Sequence, residues 1–257
     1  MRVPRDGPPT TDEQVWRRAP QWQHTPAVRW QQRGSLRRVV VCAAHPGDAT
    51  FAAGGFIATA HHFGAQIDLL VLTAGEASHP FSPTHSPAAL AERHEYESRE
   101  ALAILAPTAR ATYAGLPDGQ IAQQVDTVTE LLAAALRGSG DDTLLLAPYR
   151  LDGWADHDSS GLIAAKVAAD AGVMLWEMPV ELWHWGQIDD VPWPDVCRVR
   201  LARGALADKV RAMACFTSLL DPLSAQPGDE PVLGCEVLSH FERNIETFIA
   251  PGARLTL

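Results

Sequence analysis

Continuous apolar runs, not alternating ones, recur along this chain, and each is followed by an amphipathic stretch. Residues 37–43, 67–72 and 143–147 read as strands buried on both faces. Between the first two, Gly54-Gly55 and the apolar positions through Phe63 predict a helix, with Gly64 as its stop. Strand, helix and strand within about 35 residues form a βαβ unit, so the strands are expected to be parallel. Ser86 predicts the N-cap of a long helix reaching Leu105, with Ala89 where a capping box would place Glu. A short strand is expected at 111–115. A helix at 122–136 would carry Val125, Val128, Leu131, Leu132 and Ala135 on one face. A helix at 159–171 stopped by Gly172, a strand at 173–180 and a long helix at 204–220 complete the pattern. This alternation predicts an α/β fold: a Rossmann-like, mainly parallel sheet flanked by helices.

Two segments break the rhythm. Residues 1–35 are rich in Pro, Arg, Gln and Trp without a clear period. They are expected to form an N-terminal arm over the domain surface, anchored by Trp16, Trp22 and Trp30. Residues 36–257 would be a single domain. Residues 77–87 form a Pro/Ser-rich loop after the second strand, placed to rim a pocket.

Composition narrows the class. With 257 residues, 46% hydrophobic and 20% charged, the chain suits one large globular α/β domain. A net charge of -10 argues against nucleic-acid binding. No apolar run approaches the ~18 residues of a transmembrane helix, and the first residues lack the apolar core of a signal peptide. Cys42, Cys197, Cys215 and Cys235 have no CxxC spacing, so reduced thiols in a cytoplasmic protein are expected.

The chemistry concentrates in two loops. Ala44-His45-Pro46-Gly47-Asp48 follows the first strand, and Asp156-His157-Asp158 follows the run 144–148. Both would lie at the C-terminal end of a parallel sheet, where ligands of open α/β folds bind. His45, Asp48 and His157 could make a three-ligand open site, which suits zinc and also iron(II).

With these motifs the chain resembles the PIG-L/LmbE-like superfamily of zinc-dependent de-N-acetylases. That family's first motif is Ala-His-Pro-Asp-Asp-Glu followed by Gly-Gly; here it reads Ala44-His45-Pro46-Gly47-Asp48-Ala49, then Gly54-Gly55. Leu72-Thr73-Ala74-Gly75-Glu76, Leu116-Pro117-Asp118-Gly119 and Asp152-Gly153-Trp154-Ala155-Asp156-His157 match three further motifs in order. The resemblance implies a zinc ion held by His45, Asp48 and His157. It also implies a small-molecule substrate, an N-acylated amino sugar or glycoside, in specialised metabolism; self-association into a homo-oligomer is left open.

Two catalytic positions depart from the family. Its general base, the first Asp of the Asp-Asp pair, is Gly47 here, and the motif His is Trp154. The Arg of its helix motif aligns with His94, with Arg93 beside it and Glu97 kept. Losing a positioned base typically costs about 10²–10⁴-fold in rate. Asp156 is the candidate for the catalytic role, with Asp158, Glu76 and Asp118 as other sources of a base. Each has a structural alternative as ligand orienter, helix cap or turn former. Trp154, Asp118, His184, Glu76 and Arg93 are the candidates for substrate contact. The departures leave three readings: a zinc-dependent amidohydrolase, which is preferred; a relative using the metal for non-hydrolytic chemistry; and an inactive binding protein.

Overall fold

The structure, a computed structural model, describes residues 11–28 and 36–250. Trp30 lies outside the described residues. The ordered elements are α1 (Glu13–Arg18), α2 (Pro20–His24), β1 (Ala27–Val28), β2 (Arg38–Ala43), α3 (Asp48–His62), β3 (Gln66–Thr73), α4 (Pro87–Leu105), β4 (Arg110–Leu116), α5 (Val125–Ala135), β5 (Thr143–Pro148), α6 (Ala155–Ala171), β6 (Met174–Met178), α7 (Leu182–Trp185), β7 (Val196–Arg200), α8 (Arg203–Met213), α9 (Thr217–Leu220), α10 (Cys235–Phe241) and β8 (Ile245–Ile249).

The strands form one sheet in the order β1-β7-β8-β6-β5-β2-β3-β4. Among the described residues, only β8 runs against its neighbours, β6 and β7. The predicted parallel core is present: β2 pairs with β3 on one side and β5 on the other. The uninterrupted apolar runs have a direct cause. Val39, Val41 and Ala43 pack into the cluster under α3 and α8, with Phe56, Trp176 and Phe248. Val40 and Cys42 pack into the opposite cluster, with Leu72, Leu145 and Ile163. A strand covered on both faces has no polar side to show.

Close approach explains the Gly-Gly pair in α3. A Cβ on Gly55 would lie 2.4 Å from a methyl of Leu201, and one on Gly54 would lie 3.3 Å from the Lys209 stem. The Gly55 and Phe56 N–H groups donate to the Glu246 carboxylate at 2.8 and 2.6 Å. Lys209 Nζ completes this buried knot at 2.8 Å.

Several predicted boundaries shift. α3 begins at Asp48, ahead of the glycines, and Gly64 follows it with φ +88°. Ser86 caps α4 as predicted, accepting from Ala89 N at 3.2 Å. The helix expected at 159–171 starts at Ala155, so Asp156 and His157 sit in its first turn instead of on a loop. The expected helix 204–220 is two helices, broken at 214–216. The described part of the N-terminal segment is two short helices and an edge strand, not an extended arm. Two of the three expected anchors, Trp16 and Trp22, are buried. Trp16 donates from Nε1 to Trp183 O at 2.9 Å, and Trp22 meets the Trp183 ring edge-on. Among the described residues no helix is long and apolar enough to cross a membrane.

Candidate metal centre

The end of β2 and the start of α3 together aim two ligands. Thr73 at the end of β3 fixes the preceding residue, since its N and Oγ both donate to Ala44 O. The turn then folds so that Asp48 Oδ2 accepts the His45 backbone N–H at 2.8 Å. The first turn of α6 brings in His157. Three candidate donor atoms converge: His45 Nδ1 lies 3.2 Å from His157 Nε2 and 3.6 Å from Asp48 Oδ2, and His157 Nε2 lies 3.2 Å from Asp48 Oδ2. Bonds of about 2.0–2.1 Å at tetrahedral angles put donor atoms about 3.3–3.4 Å apart. The spacing therefore fits a tetrahedral zinc with one open position.

Each imidazole is backed by a carboxylate. His157 Nδ1 faces Asp152 Oδ2 at 2.6 Å. Asp152 is itself buried and accepts backbone N–H groups from Val180, Glu181 and Leu182 at 2.8–2.9 Å. His45 Nε2 faces Asp118 Oδ1 at 3.0 Å. Such partners fix the tautomer and ring plane of a metal-binding histidine. The electrostatics agree. Burial would lower the His157 pKa, but Asp48 and Asp152 outweigh it and push it up to about 9. His45 is likewise raised against its burial by Asp118, Asp156 and Asp48. Burial would raise Asp48, yet the two imidazoles hold it well below the usual carboxylate range. The cluster attracts positive charge, which a proton or a metal ion can supply.

The other predicted residues divide. Asp156 is near the cluster but buried, and its carboxylate accepts from Gly119 N at 2.8 Å and Ile121 N at 3.1 Å. It pins the turn that carries Asp118. Asp118 is held from both sides, with Oδ1 on His45 and Oδ2 accepting Ala77 N at 3.0 Å. Glu76 Oε1 accepts Asp118 N at 2.9 Å, while its Oε2 is buried without a hydrogen-bond partner. Trp154 stands half-buried at the N-cap position of α6. Arg93 bonds Glu97 at 3.1 Å and Thr217 Oγ at 2.9 Å, tying α4 to α9. His184 is buried on α7, with its ring against Trp185. Asp158 Oδ1 accepts Gly153 N at 2.7 Å and steadies the entry to α6.

Two features were not read from the sequence. Asp152 stood in a quoted motif without a role, although an Asp five residues before a ligand His was visible. The second feature concerns Gly47, whose φ of -84° suits any residue. A Cβ there would meet the Phe51 ring at 3.0 Å and a Leu219 methyl at 3.5 Å. Beside Asp48, the place where a side chain at position 47 would begin is apolar and tightly lined.

The profile of the family described as GlcNAc-PI de-N-acetylase, PIG-L, matches residues 40–168, half of the sequence, and these hold every ligand candidate. The chain belongs to the PIG-L family. No curated protein matches it. Among solved structures, the deacetylase of A40926 pseudoaglycone, an antimicrobial, is similar with TM-score 0.63 and 18% identity, covering 84% of this chain and 97% of that one. A zinc-inhibited form of teicoplanin deacetylase has TM-score 0.56 and 17% identity, covering 72% and 86%. The 4-carboxy-2-hydroxymuconate hydratase of Pseudomonas putida KT2440 has TM-score 0.58 and 16% identity, covering 80% and 83%. At these identities the likeness to the solved structures is one of fold. Within the PIG-L frame, the order of motifs is kept while the base position is not.

Proposed function

We propose that this PIG-L protein is a zinc-dependent hydrolase of de-N-acetylase type, acting on an N-acylated amino sugar or glycoside-like small molecule in specialised metabolism. The observation that carries the reading is the convergence of His45 Nδ1, His157 Nε2 and Asp48 Oδ2 at zinc spacing. A zinc ion there would polarise the substrate carbonyl and ease deprotonation of water. The chain's own residues do the rest. Asp152 holds His157 with Nε2 turned inward, Asp118 bonds Nε2 of His45 and so leaves its Nδ1 turned inward, and Asp156 fixes the turn that carries Asp118. Trp154, half-buried at the N-cap of the helix that carries His157, offers a face on which a sugar ring stacks. The zinc-inhibited form of a deacetylase with the same fold supports the choice of ion.

Gly47 bears on the rate. No carboxylate extends from this position, and Phe51 and Leu219 occupy the space. Slow turnover of simple N-acetyl sugars is therefore expected, by about 10²–10⁴-fold relative to a site with its base. This observation also favours a second reading, in which the metal serves a non-hydrolytic reaction. A hydratase shares the fold.

Metal content together with turnover of a panel of N-acylated amino sugars tests the proposal. About one zinc per chain and slow amide cleavage abolished by His157→Ala support hydrolysis. Bound zinc with every amide inert favours the second reading. Failure to take up zinc at all overturns both.

A further inference from the structure

The geometry points to a second divalent-cation site, made of His45 Nε2, Asp118 and Asp156, that shares the His45 ring with the first. This rests on the reading that His45 Nδ1, Asp48 and His157 hold the first ion. The two nitrogens of His45 face different donor sets. Nδ1 looks toward His157 and Asp48. Nε2 looks toward Asp118 Oδ1 at 3.0 Å and Asp156 Oδ2 at 3.5 Å. These three atoms all lie within 4.8 Å of one another, close enough to share one ion.

Charge favours a second cation. Asp48, Asp118, Asp152 and Asp156 surround two imidazoles, all four within 3.6 Å of a ring nitrogen. One divalent ion beside neutral imidazoles offsets only half of that charge. Lone pairs are also to hand. A carboxylate oxygen accepts more than one bond, so Asp156 Oδ2 can keep Gly119 N and still face an ion. The buried Glu76 Oε2, on the residue that fixes Asp118 N, is a further acceptor without a hydrogen-bond partner. A buried acceptor of this kind calls for a cation or a donor nearby. Access is through Asp118, whose side chain is 11% exposed, while that of Asp156 is 1% exposed.

The incoming ion takes the place of the proton on His45 Nε2, which leaves to solvent. The ring then bridges two ions as an imidazolate. Nitrogen and carboxylate donors suit zinc and copper(II). The second ion also replaces the bond from Nε2 to Asp118 that orients His45, so excess zinc alters the first site as it fills the second.

Zinc stoichiometry after dialysis against stepped zinc concentrations tests this. The wild-type chain should reach two ions, the second more weakly held. Asp118→Asn, and Asp118→Asn/Asp156→Asn, should stop at one. Each Asn keeps an acceptor oxygen for the backbone N–H groups, and near-ultraviolet circular dichroism checks the fold. In wild-type protein, a second equivalent of copper(II) should weaken the single-copper EPR signal, because copper ions joined by one imidazolate couple magnetically. One ion in wild-type protein overturns the second site and leaves the first standing. Two ions in the variants overturn it as well, since the second would then lie elsewhere. No ion at all overturns the first site together with the second.

Discussion

Restoring an aspartate at position 47 should first cost stability and only then return activity. The Cβ of Gly47→Asp would lie 3.0–3.1 Å from two carbons of the Phe51 ring. That ring cannot swing freely, because Phe216 and Phe241 hold it at centroid distances of 5.5 and 5.7 Å. Overpacking of this kind costs about 1–3 kcal/mol. The added carboxylate also stands next to Asp48, a like charge. For a chain of this length each kcal/mol lowers Tm by about 2–4 °C, so Gly47→Asp should melt roughly 2–12 °C lower. Phe51→Leu in the same chain removes the ring edge and gives the carboxylate room. The double variant should then hydrolyse N-acetyl amino sugars at least about 10-fold faster than wild type, the low end of a general-base contribution. The assay is acetate release by zinc-replete protein, with zinc measured in each variant because a new carboxylate could capture the metal. An unchanged Tm in Gly47→Asp would refute the steric argument. A folded, zinc-replete double variant no faster than wild type would refute the claim that the missing carboxylate at this position limits the rate.

Other outcomes follow from single contacts. Asp152→Asn should weaken zinc binding about 10–100-fold in chelator competition, and wild-type affinity would show that Asp152 does not orient His157. Asp152→Ala strands three buried backbone N–H groups, so urea unfolding should show a loss of several kcal/mol; a change below about 1 kcal/mol would contradict this. Gly55→Ala should destabilise by at least about 1–3 kcal/mol because of the 2.4 Å approach to Leu201. In an open helix the same change stabilises, so the sign of the Tm shift decides. Glu13 gives a pH dependence. Its burial raises the pKa, but His240 and Arg243 override this and bring it down to about 2 from 4.5. The depressed value adds no more than about 3 kcal/mol above pH 4.5, lost as pH falls toward 2. Glu13→Gln should flatten the acid limb of the stability curve, and an unchanged limb would remove Glu13 as its cause.

The sequence made some of this plain for physical reasons. β2, β3 and β5 were legible because strands covered on both faces leave unbroken apolar runs. β8 was not, because Glu246 and Thr247 are buried within it, and a charge neutralised by Lys209 inside the core hides a strand from any hydrophobic pattern. His45, Asp48 and His157 were legible because their turns are local. The task of Asp156 was not, because it depends on where α6 begins and on a turn 35 residues earlier. Gly47 announced a missing carboxylate, but only the fold reveals that Phe51 and distant Leu219 have closed over its place.

The contacts of α1 bear on how the chain comes to be made. Glu13 bonds Arg243 and His240, about 230 positions later, and Trp16 and Trp22 meet Trp183. A ribosome synthesises from the N-terminus at about 5–20 residues per second. The first two helices therefore wait, with Trp16 and Trp22 uncovered until Trp183 emerges and Glu13 unpaired until His240 and Arg243 emerge. Contacts of such long separation form slowly, so this protein is exposed to aggregation and to chaperones in the interval before these distant segments meet.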